Sequence, residues 1–300
     1  MSMFFYKSLI IIPTKDRCRE IKNSLIRLKK LKINSKNIVV IDSSNKKNFL
    51  KNKNFYLKIK NNFLNSTPSI SKQRNLGLKF AQKKYFDYII FLDDDINISR
   101  NSFLEMNKAI LKYKKLKIKF YSFNQINNTK ENFFEKIKKN KIIKLLGLYH
   151  NKKGKILKSG FQTKINDIRK DTVTEWISFA ATVCKYEDIV NQKFDEEFSN
   201  YSYLEDLDFS IMLKQKFMVI SKATYNHEKI IERTSFSFGL VEIKNRHQII
   251  LKHNLNKISF YKMIILKISL NFLFSFIKNI SFFKRFSGNI VGLIYIIFFR

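Results

Sequence analysis

Three continuous apolar runs dominate the hydrophobic pattern of the N-terminal third of the chain. They are SLIIIP at 8–13, NIVVID at 37–42 and YIIFLD at 88–93. None of them alternates apolar with polar side chains, so all three are typical of strands that are covered on both faces, as in a parallel sheet. We therefore predict three buried strands, and FYLKI at 55–59 predicts a short additional one.

Segments with helical spacing separate these runs. After the first run, apolar side chains recur at intervals of three and four residues and predict one helix stripe. They are Cys18, Ile21, Leu25 and Leu28. Thr67 or Ser69 is expected to begin a second helix, and SFLE at 102–105 has the spacing of a capping box for a third. The resulting β-α-β-α-β order predicts a doubly wound α/β domain.

Beyond residue 118 the pattern is mixed strand and loop. HNKKGKILKSG at 150–160 contains the glycines of a hairpin, and DTVTEWISFAATVCK at 171–185 predicts a pair of strands. YLEDLDFSIML at 203–213 then predicts a helix that begins with an acidic cluster. The helix dipole favours acids at that position, so this cluster also has a purely structural explanation.

Polar residues stand at the end of each buried run. They are Pro13 and Thr14, then Asp42, and then Asp93, Asp94 and Asp95. Ligands bind at the carboxyl ends of the strands in such sheets, so these residues are expected to line one crevice. Three adjacent carboxylates repel one another and form either a solvated turn or a cation site. Their place in the crevice favours Mg²⁺ or Mn²⁺.

Two further groups are candidates for chemistry. Glu205 and Asp206, with Asp208 close behind, form a carboxylate pair that can supply a general base, and the alternative is a set of helix-capping acids. His227 follows the apolar stretch FMVIS and is a candidate metal ligand, although a lone histidine is more often structural.

The net charge brings in a second class of function. Lysine and arginine number 58 against 24 acids, a formal charge of +34, which suggests nucleic acid or an anionic membrane as a partner. The lysines are spread over the whole chain, however, together with many Asn, Ile and Phe, as codon bias produces, and no basic nucleic-acid motif is present. Cys18 and Cys184 give no disulfide framework, and the N-terminus lacks a secretory pattern, so we expect a reducing compartment.

The tail from Lys257 to Arg300 has a composition of its own. It contains seven Lys/Arg and no acid, and its longest uncharged stretches are ten and fourteen residues. These stretches fall short of the roughly 17–25 residues that span a bilayer. Basic residues among bulky apolar ones predict helices that lie on an anionic membrane surface, with a helical cap on the domain or a subunit contact as the alternative.

Several of these segments together resemble family 2 glycosyltransferases. IIIPTKDR is similar to the family's first strand and turn, VVIDSS to its second strand, and SKQRNLGLKFA to its A-R-N-x-G helix. FLDDD is similar to its D-x-D metal motif, and YLEDLDFSIML to its E-D-x-D segment. The matching segments occur in the family's order between Ile10 and His227, and together they form a specific resemblance.

The resemblance implies a GT-A fold, which is a doubly wound mixed sheet with a Rossmann-like nucleotide-binding half and helices on both faces. It also implies an inverting transfer of a sugar from a nucleotide-diphosphate sugar, with a UDP-sugar favoured, to an acceptor hydroxyl. The matching donor-binding residues would be Pro13, Thr14, Asp16, Arg17, Asp42, Arg74, Asn75, Asp93 and Asp94.

The other roles that the resemblance implies concern the metal and the reaction. Asp95, with Asp93 and His227, would hold Mn²⁺ or Mg²⁺, and Asp206 would deprotonate the acceptor. Glu205 would assist Asp206 or bind the acceptor.

The sequence departs from the family's pattern at two places. Asp16 replaces the usual asparagine, and SFAATVCK lacks a glycine that the family often has before the acceptor region. Trp176 lies just upstream and either stacks on an acceptor sugar or belongs to the core. These departures affect the acceptor side more than the donor side.

Taken together, the sequence predicts a GT-A domain over residues 1–256, with a nucleotide-sugar half at about 1–118 and an acceptor half at about 119–256, followed by the tail at 257–300. We expect a hexosyl- or N-acetylhexosaminyltransferase of bacterial surface-glycan synthesis. It would act on a glycan or lipid-linked acceptor as a cytoplasmic protein, peripheral on the inner membrane, without a specific nucleic-acid partner. The alternatives are a non-catalytic basic protein that binds RNA or membrane, and a GT-A-like nucleotidyltransferase.

Overall fold

The computed structural model describes residues 7–127, 141, 144, 149–198, 202–227 and 233–299. Within these ranges one mixed sheet is formed by β1 (Ser8–Thr14), β2 (Ile38–Asp42), β3 (Asn62–Asn65), β4 (Tyr88–Leu92), β5 (Ile96–Ile98), β6 (Phe120–Gln125), β7 (Thr172–Thr174), β8 (Ala181–Lys185) and β9 (Phe217–His227). The described α-helices are α1 (Cys18–Lys30), α2 (Lys46–Lys58), α3 (Ile70–Ala81), α4 (Arg100–Lys112), α5 (Tyr186–Ile189), α6 (Glu205–Leu213), α7 (Phe236–Lys252), α8 (Lys257–Ile277) and α9 (Ser281–Phe298).

The sheet has the spatial order β3-β2-β1-β4-β8-β6-β9-β5, and β7 pairs with β9. The first four strands in this order, β3, β2, β1 and β4, are mutually parallel. Ile11 of β1 pairs with Val39 of β2 on one side and with Phe91 of β4 on the other. β8 then runs antiparallel between β4 and β6, which makes the sheet mixed. This is the doubly wound mixed arrangement that the sequence predicts.

The continuous apolar runs are buried because helices cover the sheet on both faces. All seven residues of β1 and all five of β2 are buried. The stripe of α1 packs Ile21, Leu25 and Leu28 into the core beneath the strands. Such complete burial leaves polar groups only at the strand ends, and this positions the residues described in the next subsection.

The chain divides into two compact units. The first contains the sheet and consists of Met1–Asn128, Ile165–Ser210 and Lys214–Lys229. The second consists of Thr129–Lys164, Ile211–Leu213 and Ile230–Arg300, and it contains α7, α8 and α9. A hairpin in this second unit has its bridge at Ile156 and Gln162.

Three local predictions were wrong. The segment 55–59 is not a strand, because residues up to Lys58 belong to α2, and the next strand is β3. The cap of α4 is Ser99, whose hydroxyl accepts a hydrogen bond from the Ser102 amide, so Ser102 lies inside the first turn. The two strands in 171–185 do not pair with each other, since β7 joins β9 and β8 lies between β4 and β6.

The C-terminal tail forms two long helices. α8 has 21 residues and α9 has 18, and among the described helices these two are long and apolar enough to cross a membrane, by length and composition only. The helices are longer than the uncharged stretches of the sequence because they continue through lysines such as Lys262 and Lys267.

Gly77 allows α3 to lie directly on β1. A Cβ at this position would be 2.4 Å from Cγ2 of Ile11, closer than carbon atoms pack. We expect Gly77→Ala to lower the free energy of unfolding by about 1–2 kcal/mol, because an overpacking cost of about 2–3 kcal/mol exceeds the gain of about 1 kcal/mol in helix propensity. Urea denaturation measures this change, and Lys79→Ala, at an exposed position of the same helix, is the control. An unchanged or higher midpoint for Gly77→Ala would contradict the packing argument.

Candidate functional site

The carboxyl ends of the central strands meet at one edge of the sheet. Thr14 is the last residue of β1 and pairs with Asp42, the last residue of β2. Asp93, Asp94 and Asp95 follow β4 directly, and His227 at the end of β9 pairs with Ile96. The topology therefore brings the strand-end residues to one edge, although they come from distant parts of the chain.

A first cluster is formed around Asp94 and Asp95. The Thr14 hydroxyl donates to Asp94 Oδ2, while Arg17 Nη1 lies 3.0 Å from Asp94 Oδ1 and 2.7 Å from Asp95 Oδ2. On the other side, His227 Nδ1 lies 3.2 Å from Asp95 Oδ1. Arg17 thus bridges two neighbouring carboxylates that would otherwise repel each other.

Burial and the neighbouring charges shift the pKa values of Asp94 and Asp95 in opposite directions. Burial raises the pKa of Asp94 to about 7, against the hydrogen bond from Thr14 and the charge of Arg17. Burial also acts on Asp95, but contact with His227 and the charge of Arg17 hold the pKa of Asp95 below its usual value. For His227, burial is outweighed by Asp95 and Asp93, which raise its pKa. Asp95 is therefore the aspartate of this pair that carries a stable negative charge.

A second cluster has Arg74 at its centre. This side chain is only 2% exposed, and its Nη1 lies 3.0 Å from Glu205 Oε1 and 2.8 Å from Asp206 Oδ1. Its Nη2 is 3.7 Å from Asp93 Oδ1. The Ser178 hydroxyl donates to Asp206 Oδ2 at 3.0 Å, so both oxygens of Asp206 are held in place. Arg74 thereby connects α3, Asp93 after β4 and the start of α6.

Burial makes the carboxylates around Arg74 costly to ionise. It raises the pKa of Glu205 well above the ordinary value, the nearby Asp206 adds to the effect, and Arg74 opposes it. Burial raises the pKa of Asp93 as well, again against Arg74. A strongly perturbed acid in a group of functional candidates is typical of a site that moves protons.

The structure gives Asp42 a different environment from the one expected. Its side chain is fully buried and accepts hydrogen bonds from the Ser44 amide, the Asn52 side chain and the Tyr56 hydroxyl. Asp42 therefore fixes the turn after β2 to α2. The structure therefore places the Asp42 carboxylate inside the protein, with three hydrogen bonds to neighbouring residues.

Asp16 stabilises the loop after β1. It has a φ of 55°, a left-handed conformation that Asn and Asp tolerate, so aspartate can replace the family's usual asparagine here. One carboxylate oxygen of Asp16 accepts hydrogen bonds from the Asn45 backbone amide and from the Asn48 side chain. The hydrogen bond from Asn48 lowers the pKa of Asp16.

The remaining candidates lie in three settings. The Asn75 side-chain amide donates hydrogen bonds to the Phe194 carbonyl and the Glu196 carboxylate, and its oxygen accepts one from the Phe194 backbone amide. The structure therefore brings Asn75 to neither cluster. Pro13 is buried inside β1. Trp176 is half-buried and lies two residues before Ser178, which contacts Asp206.

Sequence reasoning missed two residues that organise the site. Ser178 was not singled out, because a serine in the segment before β8 has no recognisable pattern. Gln73 was also missed, although its side-chain amide donates to the carbonyls of Thr14 and Ile41 and ties α3 to two strand ends. Its position directly before the matched Arg74 was the signal available for it in the sequence.

The residues present fit a divalent cation that binds together with phosphate oxygens. The described part of the chain contains no preformed group of three or more His, Cys, Asp or Glu side chains arranged to hold a metal ion. Asp95 and His227 nonetheless present an oxygen and a nitrogen in contact, with Arg17 as the present counter-charge of Asp95. Mg²⁺ and Mn²⁺ need few protein ligands when phosphate and water complete the shell.

Comparisons with known proteins agree with the motifs. Residues 9–161 match the model of the family described as Glycosyl transferase family 2. The structure is similar to GalNAc-T7, which was crystallised with UDP, GalNAc and Mn²⁺, with 14% identity and a TM-score of 0.57. That match covers 82% of this chain and 48% of the GalNAc-T7 chain, so the present chain spans about half of that protein. This likeness shows the fold.

Weaker structural similarities were found to two other proteins. Mannosyltransferase PcManGT from Pyrobaculum calidifontis, in complex with GDP-Man and Mn²⁺, matches with 11% identity, a TM-score of 0.49, and coverage of 96% of this chain and 75% of its own. Residues 1–349 of TarS from S. aureus match with 16% identity, a TM-score of 0.49, and coverage of 90% and 72%. A search of curated protein sequences found no match.

Arg74 is expected to be essential for stability. Replacing it with methionine in Arg74→Met leaves buried carboxylates without their cation, which costs about 3–5 kcal/mol of unfolding free energy at neutral pH. The pKa values of Glu205 and Asp93 are raised, so this deficit is largest at high pH and shrinks as the pH falls and these groups bind protons. Denaturant unfolding over a pH series tests this, with Lys72→Met on the exposed face of α3 as the control. A variant as stable as the parent at neutral pH would refute the role assigned to Arg74.

Proposed function

Because the chain belongs to glycosyl transferase family 2, we propose that it transfers a sugar from a nucleotide-diphosphate sugar to an acceptor hydroxyl with inversion at the anomeric carbon. One observation carries the proposal: Arg74 joins Asp93 after β4 to Glu205 and Asp206 at the start of α6. A candidate metal-and-donor group and a candidate base are thus held in one network.

On the donor side, we assign the diphosphate and ribose to the first cluster. Thr14, Arg17 and Asp94 would line the nucleotide, and Asp95 with His227 and Asp93 would hold Mn²⁺ or Mg²⁺. A bound divalent ion supplies positive charge for the departing diphosphate. Arg17 adds a second cation at the same place, and its side chain is 39% exposed, so it can turn from Asp95 towards an anionic ligand.

The other donor-side residues are proposed to shape the site. Asp42 orders the turn that would face the base, and Asp16 orders the turn beside it. Pro13 and Asn75 hold β1 and α3 in position. Arg74 acts on the donor side through Asp93, and its charge opposes the burial that disfavours the ionised forms of Asp93 and Glu205.

Asp206 is proposed as the general base. It would take the proton of the acceptor hydroxyl as the new glycosidic bond forms and the bond to the diphosphate breaks on the opposite face of the sugar. Such proton removal typically contributes 10²–10⁴-fold to the rate. Glu205 would bind the acceptor or assist Asp206, and Trp176 would stack on an acceptor sugar.

For the substrate and the setting, we propose a UDP-sugar as donor and a glycan or lipid-linked acceptor, with hexosyl or N-acetylhexosaminyl transfer in bacterial surface-polysaccharide, lipopolysaccharide or capsule synthesis. The apolar, basic helices α8 and α9 support a location at a membrane, and we propose that the protein is cytoplasmic and peripheral on the inner membrane. The nucleotidyltransferase alternative lacks support, because PTKDRCRE after β1 has no glycine for a phosphate loop. A basic binding protein would not need acids at three ordered strand and helix ends.

The metal requirement tests the reaction class. We expect the full chain with Mn²⁺ or Mg²⁺ to hydrolyse or transfer from at least one member of a panel of nucleotide sugars, and EDTA to abolish this activity until metal is restored. Released UDP or GDP is the measured product. Full turnover in EDTA would remove the metal assignment. Salt-sensitive RNA binding without any response to nucleotides would favour the non-catalytic alternative.

Replacement of the base separates catalysis from donor binding. We expect Asp206→Asn to reduce transfer at least 10²-fold, because the amide cannot accept the proton, while the affinity for the nucleotide stays within a few-fold of the parent. Glu187→Gln, at an acid whose side chain is 77% exposed, provides a control for the same chemical change. Equal turnover of Asp206→Asn and the parent would overturn this assignment.

A further inference from the structure

The turn between α8 and α9 exposes a group of large apolar side chains. We call this group the hairpin tip, and it consists of Phe272, Phe276, Ile277, Ile280 and Phe283. Phe276 and Ile280 are each 72% exposed, and the others are between 43% and 59% exposed. Soluble proteins rarely leave such a group of neighbouring apolar side chains in water, so this surface is expected to have a partner.

The charge around the hairpin tip identifies the kind of partner. Between Ile243 and Arg300 the chain contains ten Lys/Arg and no Asp or Glu. Lys278 and Lys284 are exposed beside the hairpin tip, and Lys257 and Lys262 are exposed near the other end of α8. An anionic bilayer satisfies both properties, since it takes up apolar groups and attracts basic ones. A second copy of the chain would bring two positive surfaces together.

The inner faces of α8 and α9 are attached to α7 by buried polar groups. Glu242 of α7 is fully buried, with Lys267 of α8 at 2.8 Å and Arg285 of α9 at 2.7 Å. Burial disfavours its charge, but Lys267 and Arg285 lower the pKa of Glu242, so it remains ionised. We call these three residues the polar clamp.

A second polar contact and a close backbone approach strengthen this attachment. Asn271 of α8 donates to Asn289 of α9 at 2.6 Å, and Asn289 donates to the Gly239 carbonyl of α7 at 2.8 Å. A Cβ at Gly288 would be 2.1 Å from the Phe236 carbonyl oxygen, so α9 and α7 touch backbone to backbone. The three helices therefore form one packed body.

This packing argues against a spanning hairpin. If α8 and α9 crossed a bilayer in this arrangement, α7 would have to enter with them. α7 carries Glu242, Lys244 and Arg246, and the two candidate spans found among the described helices do not include it. Separating α7 instead would leave Lys267, Arg285 and two asparagines facing lipid, at about 2.5–3.5 kcal/mol for each charged residue.

We propose that α8 and α9 form a monotopic anchor, in which the hairpin tip inserts into one leaflet of an anionic bilayer while both helices stay packed on α7. The proposal rests on the membrane location given under the proposed function and specifies the surface and the depth. It does not depend on the transfer reaction, because the vesicle experiments contain no sugar nucleotide. A failure of the anchor therefore leaves the metal and Asp206 tests untouched.

Vesicle flotation tests the surface. We expect the full chain to bind phosphatidylglycerol-containing vesicles, and Phe276→Ser/Ile280→Ser to bind them at least about tenfold more weakly, because two large apolar side chains no longer enter the leaflet. The control is Leu57→Ser/Leu116→Ser, at two positions that are each 57% exposed in the first unit. Pure phosphatidylcholine vesicles should bind the parent at least about tenfold more weakly than anionic ones.

Labelling at the tip tests the depth. A bimane attached to Ile280→Cys should be quenched by lipids brominated in the acyl chains of the outer leaflet. An impermeant maleimide trapped inside the vesicles should not label this cysteine above the background set by Cys18 and Cys184 of the parent. Labelling by the trapped reagent would show a spanning hairpin.

Two other results would overturn the anchor. One is equal vesicle binding by Phe276→Ser/Ile280→Ser and by its control. The other is a parent protein that binds no vesicles but forms a dimer in light scattering, with the dimer lost in Phe276→Ser/Ile280→Ser.

Discussion

The contact between Arg74 and its carboxylates is the constraint on which the candidate site depends. Asp93, Glu205 and Asp206 come from two separate parts of the chain and lie around one guanidinium that is 2% exposed. Without a cation at this place, their mutual repulsion and the cost of burial would drive the start of α6 away from the end of β4. Phe179 and Phe194 pack over the guanidinium at 5.8 Å and 5.4 Å, so its own apolar faces are covered. The site and the fold are consequently held together by the same residue.

The parallel half of the fold could be predicted because its signal is local. A strand buried on both faces must be apolar throughout, and β1, β2 and β4 appear where the continuous runs predict them. α2 was misread at its end because its buried positions are Asn52 and Tyr56, polar residues that bond the Asp42 carboxylate. A search for apolar periodicity does not detect a helix whose buried side chains are polar because they bind a buried acid. The apolar and aromatic residues at 55–59 then resemble a strand.

The site was predictable to a different extent. Strand-end aspartates and the acids of α6 are visible in the sequence because each motif is short and continuous. Their partners are not, since Arg74 and Glu205 are separated by 131 residues and their pairing follows only from the packing of α3. Ser178 and Gln73 belong to this class too, because each acts through one side-chain contact that depends on the position of another element. The antiparallel strands β7 and β8 were mispaired for the same reason: strand partners are set by the whole sheet.

Both units contain a cluster of acidic and basic side chains, but acids outnumber bases in the first cluster and bases outnumber acids in the second. In the first, the carboxylates of Asp93, Asp94, Asp95, Glu205 and Asp206 exceed the cations Arg17 and Arg74, even with His227 added. Such a site gains from a further cation and tolerates it at little cost. In the second, Glu242 faces Arg246, Lys267 and Arg285, so positive charge remains in excess. The overall charge of +34 thus conceals a local surplus of acid in the first unit, which suits a divalent ion and a diphosphate. In the second unit the bases around Glu242 are held inside, and the exposed Lys278 and Lys284 are the ones that suit an anionic surface.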